Sequence, residues 1–326
     1  MEIVLVRHGE STSNVTRRWQ GQGDAPLSPH GETQAAALAA RIARRLAEQW
    51  RVDEVVTSDL TRAARTGRAS FETLTVDAAW READVGAWEG LTRAEVAERF
   101  PDELAALAEG RRDVALGGGE SLARFWARTD AALDALRARL PVGGRALVFT
   151  HGGVIGALVG DLLGKRTVRP SAGLGRLANT AMTTLHFDDR GARGRVTVLN
   201  DTAHLGIEAL AAEERRDGAV PIITLIANAS ASRAPNADAS SIPGAGAPRA
   251  AFVEALTAIV LRGGGSDVTL ELEPRALHAA VVALAHVPDE RHLALVVPPH
   301  SAHTHIALDA RLGAVLVDHA ITPHKL

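Results

Sequence analysis

The chain has 326 residues, 46% of them apolar, with a net charge of -3, a globular composition that carries no electrostatic footprint for nucleic acid. No run approaches the roughly 18 uninterrupted apolar residues that a membrane span needs. The absence of cysteine from the sequence excludes disulfides and thiolate metal sites. The N-terminus enters a strand without the basic and then apolar regions of a signal peptide, so the cytoplasm is the expected compartment. All five Trp lie at or before Trp126, whereas eight of the 13 His fall between His278 and His324, which suggests two domains of different composition.

Ile3 to Val6 is a run of β-branched and apolar residues that reads as a strand buried on both faces. It ends in Arg7-His8-Gly9, and in open α/β sheets ligands collect outside the carboxyl ends of the strands. The polar loop from Glu10 to Leu27 carries Asn14, Arg17, Arg18, Trp19, Gln20 and Gly21, a natural place for substrate contacts. Ser28-Pro29 reads as an N-cap with proline in the first helical position. The helix that follows runs to about Trp50, with Leu38, Ile42 and Leu46 spaced for its buried side. Glu54 to Thr57 is a second strand, and Ser58 is placed to cap the helix after it. Arg62 lies in that helix's first turn, where a cation opposes the macrodipole, so anion binding explains it better than helix stability.

Thr73 to Val76 is a further short strand, and Trp80 to Gly90 is a loop rich in tryptophan and charge. Helical patterns cover about Arg93 to Phe100, Glu103 to Glu109 and Glu120 to Leu140. Arg145 to Thr150 is the third clear strand and delivers His151-Gly152-Gly153 to a comparable rim. Val154 to Leu163 reads as a buried helix, and strands near Ala181 to Phe187 and Arg195 to Leu199 follow. This alternation predicts a three-layer, mostly parallel α/β domain.

Beyond it, Val220 to Ala227 is strand-like, and Asn228 to Arg249 is an Ala/Ser/Pro/Gly-rich linker. Helices near Ala250 to Leu261 and Pro274 to His286, with strands at Val268 to Leu272, His292 to Val297 and Ala314 to Asp318, predict a small α+β module. The expected division is a catalytic domain over 1–213, a strand and linker over 214–249, and the module over 250–326. His300, His303 and His305 invite a zinc reading, but Asp309 is the sole nearby carboxylate, and surface histidines are the expectation. Dimerisation, covering an edge of the catalytic domain, or shaping substrate access are the module's expected roles.

Arg7 with His8, then Arg62, then His151 are presented at strand or helix ends, with Glu82 in a loop between them in sequence. Two guanidiniums and two imidazoles at one rim suit a dianionic tetrahedral group, because the planar fork of arginine matches phosphate oxygens. No carboxylate cluster for Mg²⁺ accompanies them, and no metal or cofactor is implied. For the acid in the loop, Glu89 and Asp84 are the rivals of Glu82. Glu120 and Ser121 stand between substrate contact and helix capping, while Trp19, Trp80 and Trp88 read mainly as packing residues.

R-H-G-E-S-x-x-N at 7–14, S-D-L-x-R at 58–62, R-E-x-D-V-G-x-W-E-G at 81–90, G-G-E-S at 118–121 and H-G-G at 151–153 resemble the histidine phosphatase superfamily in order, spacing and strand context. That family comprises phosphoglycerate mutases and related phosphatases, and the resemblance extends to about Leu205. It implies a doubly wound three-layer sheet with the site at the carboxyl ends of its strands. By that resemblance His8 is a nucleophile that forms a phosphohistidine, and Arg7, Arg62 and His151 hold the phosphoryl oxygens. Glu82 then protonates the leaving alkoxide and later deprotonates water. Asn14, Gln20, Gly21 and Gly152 match positions near phosphate or substrate.

The span from Glu82 to His151 is short where mutases of the family carry a longer insertion, which resembles the phosphatase branch. The loop from Arg18 to Ser28 looks like that of actinobacterial members acting on sugar-phosphoglycerate esters, and also like broad-specificity phosphatases. The expectation is a phosphatase acting without a metal on small phosphate monoesters. A mutase dependent on 2,3-bisphosphoglycerate and a non-catalytic phospho-ligand binding protein are the alternatives.

Overall fold

The computed structural model describes residues 1–164, 166, 177–188 and 194–205, and further along 222–227, 251–252, 254–256, 258, 268–272, 277, 280–281, 303–309 and 313–316. Two compact units result. The first comprises Met1–Asp161, Arg166–Arg169 and Asn179–Ala192, and the second Leu162–Lys165, Pro170–Ala178 and Arg193–Leu326.

In chain order the elements are β1 (Glu2–Arg7), α1 (Thr12–Val15), α2 (Pro29–Ala47), β2 (Glu54–Thr57), α3 (Thr61–Arg68) and β3 (Thr75–Val76). After two short 3-10 turns, Ala78–Trp80 and Gly86–Trp88, come α4 (Arg93–Arg99) and α5 (Pro101–Ala108). A third 3-10 turn, Leu116–Gly118, leads to α6 (Leu122–Arg139), β4 (Arg145–Thr150), α7 (Gly152–Leu162), β5 (Met182–Phe187) and β6 (Gly194–Asp201). The fold is a three-layer, mostly parallel α/β sheet of order β3-β2-β4-β1-β5-β6. β1 runs parallel to β4, β4 to β2 and β2 to β3, whereas β5 is antiparallel to β1.

Ile3, Val4, Leu5 and Val6 have no solvent exposure, as their uninterrupted apolar run requires of a strand covered on both faces. On one side Val4, Val6, Leu147, Phe149 and Met182 meet Leu38 and Ile42 of α2. Leu46, expected on the same side, is 38% exposed, because it lies in the last turn of α2. The loop after β1 contains the short helix α1, which the sequence reading missed; Ser11 and Asn14 form a reciprocal cap at its start.

The segment leaving β1 is fastened to the start of α2. Ser28 accepts from Gly31 N (3.0 Å) and donates to Glu10 Oε1 (2.7 Å), while Glu10 N donates to Gln34 Oε1 (2.9 Å). Gly31 makes this fit possible: a Cβ there would fall inside the van der Waals envelope of the Glu10 carbonyl.

In the second unit β7 (Ile222–Ala227), β8 (Val268–Leu272), β9 (His303–Asp309) and β10 (Gly313–Leu316) form a sheet of order β10-β9-β7-β8. β7 and β8 are parallel, and β9 is antiparallel to β7 and β10. Leu277, Ala280 and Val281 are helical and buried at i, i+3 and i+4, in keeping with the expected helix there. β9 carries His303 and His305 and was not expected as a strand, since its His-Thr-His start hid the period. The strand expected at 292–297 and the whole of the 228–249 linker lie outside the described residues. Among the described residues no helix is long and apolar enough to cross a membrane.

Alanine in place of a helical glycine ordinarily stabilises by about 1 kcal/mol. Gly31→Ala should reverse that sign, losing about 1–3 kcal/mol to overpacking against the Glu10 carbonyl. Denaturant unfolding monitored by circular dichroism measures it, and an increase in stability would contradict the close approach.

Candidate active site

β1 and β4 pair with Arg7 opposite Thr150, so His8 and His151 leave adjacent parallel strands at one level. Their rings lie 5.2 Å apart between centroids, inclined at 58°. On the other side of β4, Thr57 is opposite Phe149, which sets Ser58 beside His151; its Oγ is 2.9 Å from His151 Nε2. Ser58 does not cap α3 directly, contrary to the sequence expectation. Its Oγ accepts from Leu60 N (3.3 Å), and the start of α3 is held by Asp24, which accepts from Thr61 N (2.8 Å) and Thr61 Oγ1 (2.6 Å).

His8 is buried, and its Nδ1 is 2.7 Å from Gly9 O. A carbonyl only accepts, so Nδ1 carries the proton and Nε2 carries the lone pair. Burial, then the Arg62 and Arg7 guanidiniums, hold the His8 pKa well below its ordinary value of 6.5. His151 is likewise held well below 6.5, by burial first and then by Arg62, His8, Arg7 and Arg128. Two neutral imidazoles thus stand among permanent cations.

Arg7 packs over the start of α7, where a Cβ at Gly152 would stand 3.4 Å from its Nε. Arg62 is wholly buried at the first turn of α3. Its Nη1 donates to Gly23 O (2.8 Å) and its Nη2 to Gly21 O (2.7 Å), so it shapes the loop after α1 as well as charging the site. Glu89 completes that clamp from the other side, accepting from Gly21 N (2.9 Å) and Gly23 N (3.1 Å). Glu89, a rival for the acid role, is therefore engaged in holding the loop.

Gln20 Oε1 accepts from Ser11 Oγ (2.7 Å), and Asn14 Oδ1 accepts from Ser11 N and from Asn179 Nδ2 (both 3.2 Å). Asn179 also donates to His8 O (2.9 Å), tying the loop to the backbone of His8. Among the described residues, Arg62 Nε, His151 Nδ1 and Gln20 Nε2 are buried without a hydrogen-bond partner. The Ser58 Oγ–His151 Nε2 bond takes its direction from the imidazole tautomer; when Ser58 is the donor, His151 Nδ1 is an N–H. All three atoms are then donors, and an unpaired buried donor costs about 1–3 kcal/mol until an acceptor such as a phosphoryl oxygen meets it.

Glu82 is half-buried beside these groups. Its Oε2 accepts from Gly153 N (2.8 Å) in the first turn of α7 and its Oε1 from Ala83 N (3.0 Å). Gly153 admits it, because a side chain there would overlap the carboxylate. Asp84, the other rival, accepts from Gly86 N (2.9 Å) in the following turn. Ser121 caps α6, accepting from Arg124 N (3.3 Å), and Glu120 pairs with Arg128, so both are structural here. Trp80 and Trp88 are buried, and Trp19 packs edge-on to Trp88 with centroids 5.2 Å apart. Ser58, Asp24, Asn179 and Arg128 escaped the sequence reading. Asp24 and Asn179 leave no local pattern, whereas Ser58 stands in the S-D-L-x-R motif and reads there as a helix cap, not as a partner of His151. Among the described residues no three His, Asp or Glu side chains are grouped as a metal site requires.

The model of the histidine phosphatase superfamily (branch 1) matches residues 3–202. The chain belongs to that superfamily. Phosphoglycerate mutase-like protein 4 of Arabidopsis thaliana is 35% identical over 212 residues, covering 63% of this chain and 86% of the relative. A probable phosphoglycerate mutase of Klebsiella pneumoniae is 38% identical over 168 residues, covering 50% and 75%. Among solved structures, a mycobacterial glucosyl-3-phosphoglycerate phosphatase is 33% identical with a TM-score of 0.51, covering 60% of this chain and 96% of that one. Membership of the histidine phosphatases supports phosphatase or mutase chemistry at this rim.

Between pH 6.5 and lower values the unfolded chain binds protons at both positions while the folded rings stay neutral. Stability therefore falls as pH drops below about 6.5, by up to about 1.4 kcal/mol per pH unit for each ring. Unfolding free energies at pH 7.5 and 5.5 should show a steeper acid loss in the native chain than in His8→Gln. Equal slopes would mean that His8 titrates normally.

Proposed function

We propose that this histidine phosphatase hydrolyses phosphate monoesters of small metabolites, of the sugar-phosphate or phosphoglycerate type, through a phosphohistidine on His8. The observation that carries this reading is the His8 ring: Nδ1 is fixed on Gly9 O, and Nε2 is unprotonated. Nε2 attacks phosphorus as the ester P–O bond breaks, and the leaving alkoxide takes a proton from Glu82. Water then attacks the phosphohistidine, giving a proton back to Glu82 as the P–N bond breaks. One difficult displacement becomes two easier ones.

Arg7 and Arg62 supply the charge that stabilises the equatorial oxygens, with His151 Nδ1 as a neutral donor. The cations are permanent, so the site carries its electrostatic stabilisation in its own side chains and acts without a metal. Similarity to the mycobacterial glucosyl-3-phosphoglycerate phosphatase supports the hydrolytic outcome and the substrate class. The names of the curated relatives favour a second reading, mutase activity, in which the phosphoryl group returns to a glycerate rather than to water.

His8→Ala should abolish turnover of both 4-nitrophenyl phosphate and an alkyl phosphate, while the native enzyme keeps its rate in EDTA. Full activity in the variant would remove His8 from the nucleophile role. Release of inorganic phosphate from 3-phosphoglycerate and sugar phosphates, measured against isomerisation in the presence of 2,3-bisphosphoglycerate, separates phosphatase from mutase. Faster isomerisation than hydrolysis would favour the mutase. Glu82→Gln should slow alkyl phosphates by about 100-fold or more while sparing activated aryl phosphates, whose leaving group needs little protonation. Equal losses would remove Glu82 from the acid role.

A further inference from the structure

Glu82 lies in a segment with no strand partner. It sits between the 3-10 turns Ala78–Trp80 and Gly86–Trp88, where Gln22 Nε2 donates to Glu82 O (3.3 Å), Thr150 Oγ1 donates to Trp80 O (2.8 Å), and the side chain of Arg128 on α6 reaches three carbonyls of the segment. The guanidinium has five N–H groups, and the structure accounts for five bonds from it. Nη1 donates to Ala79 O (2.8 Å) and Arg81 O (2.9 Å), and Nη2 donates to Glu82 O (3.2 Å). The remaining two go to one carboxylate, Nε to Glu120 Oε1 (3.1 Å) and Nη2 to Glu120 Oε2 (2.8 Å). Glu120 N in turn donates to Asp84 O (2.7 Å), so the pair grips the acid-bearing segment on both sides of Glu82.

We propose that Arg128, oriented by Glu120, is a positioning residue for the general acid. It fixes the main chain at Glu82 so that the carboxyl meets the leaving oxygen at the start of α7. The inference rests on the reading of Glu82 as the acid. Arg128 is 24% exposed and Glu120 11%, so water does not freely replace these bonds. The three carbonyls and the carboxylate need donors in one plane, which guanidinium supplies and an ammonium does not. Arg128 also lies close enough to His151 to act on its charge, and a purely electrostatic role would be served by any cation in its place.

The test compares Arg128→Met, Arg128→Lys, Glu120→Gln and Glu82→Gln on glycerol 3-phosphate and on 4-nitrophenyl phosphate, with folding checked by circular dichroism and thermal unfolding. Misplacing an acid by about 1 Å costs on the order of 100-fold in kcat, so Arg128→Met should lose about that on the alkyl ester and less than about fivefold on the aryl ester, with KM changed by less than about threefold. Arg128→Lys should behave like Arg128→Met, because charge without the fork does not hold three carbonyls. Glu120→Gln keeps Arg128 and should shift the same ratio in the same direction by about tenfold; it decides the matter if the Arg128 variants do not fold.

Restoration of alkyl-ester activity by Arg128→Lys, or equal losses on both esters in folded Arg128 variants, would overturn the inference while leaving the acid assignment in place if Glu82→Gln still discriminates between esters. Equal losses in Glu82→Gln would overturn the acid assignment and the positioning role together.

Discussion

Everything at this rim depends on the parallel pairing of β1 with β4. Because Arg7 faces Thr150 across that ladder, His8 and His151 emerge at one height, and the two rings approach to 5.2 Å without any side chain having to reach. A one-residue slip would turn every side chain of the strand to the opposite face. The fully buried sequence Ile3 to Val6 leaves little to choose between those faces by polarity alone. The register is fixed instead at the ends: Glu2 N bonds Gly144 O before the ladder begins, and His8 N bonds Thr150 O as it closes. The chemistry is thus set by the outermost hydrogen bonds of the two strands.

Around that pair the structure keeps cations buried and imidazoles neutral. A buried guanidinium is costly unless its donors are met. Arg62 meets that need with the carbonyls of Gly21 and Gly23 and with the carboxylates Glu82, Glu89 and Asp24 nearby, which act on its charge. The same bonds shape the loop that carries Gln20, so one residue supplies charge and sets the course of the neighbouring loop. The cost is passed to the imidazoles, which lose their protons to burial and to these cations. For a nucleophile that is the useful form.

The strands and most helices were legible because their signals are local. Buried apolar runs mark β1 and β4, and Ser28-Pro29 marks the start of α2. His8, Arg62, Glu82 and His151 were legible through motifs at element ends, which the structure brings to one rim. What escaped were partnerships across long separations. Arg128 meets Ala79 to Glu82 across more than forty positions, Asp24 caps a helix that begins at Thr61, and Asn179 reaches back to His8. No periodicity encodes such contacts. Leu46 shows the opposite error: its spacing fits the buried stripe, but in the last turn of α2 it is left exposed.

The site also divides by how its parts are held. His8 and His151 hang from strand ends, where the ladder fixes the backbone to within its own hydrogen-bond geometry. Glu82 and the loop of Gln20 and Gly21 lie outside the sheet; Arg128 with Glu120 grips the first, and Arg62 with Glu89 grips the second beside the backbone bonds of Trp19 to Gly90 and Leu91. Phosphoryl transfer demands little covalent work from the protein beyond positioning and charge. The rigid half of the site therefore suits the part common to all phosphate esters. On the proposed reading the clamped half is the part that would meet what differs between them, the leaving group and its substituents.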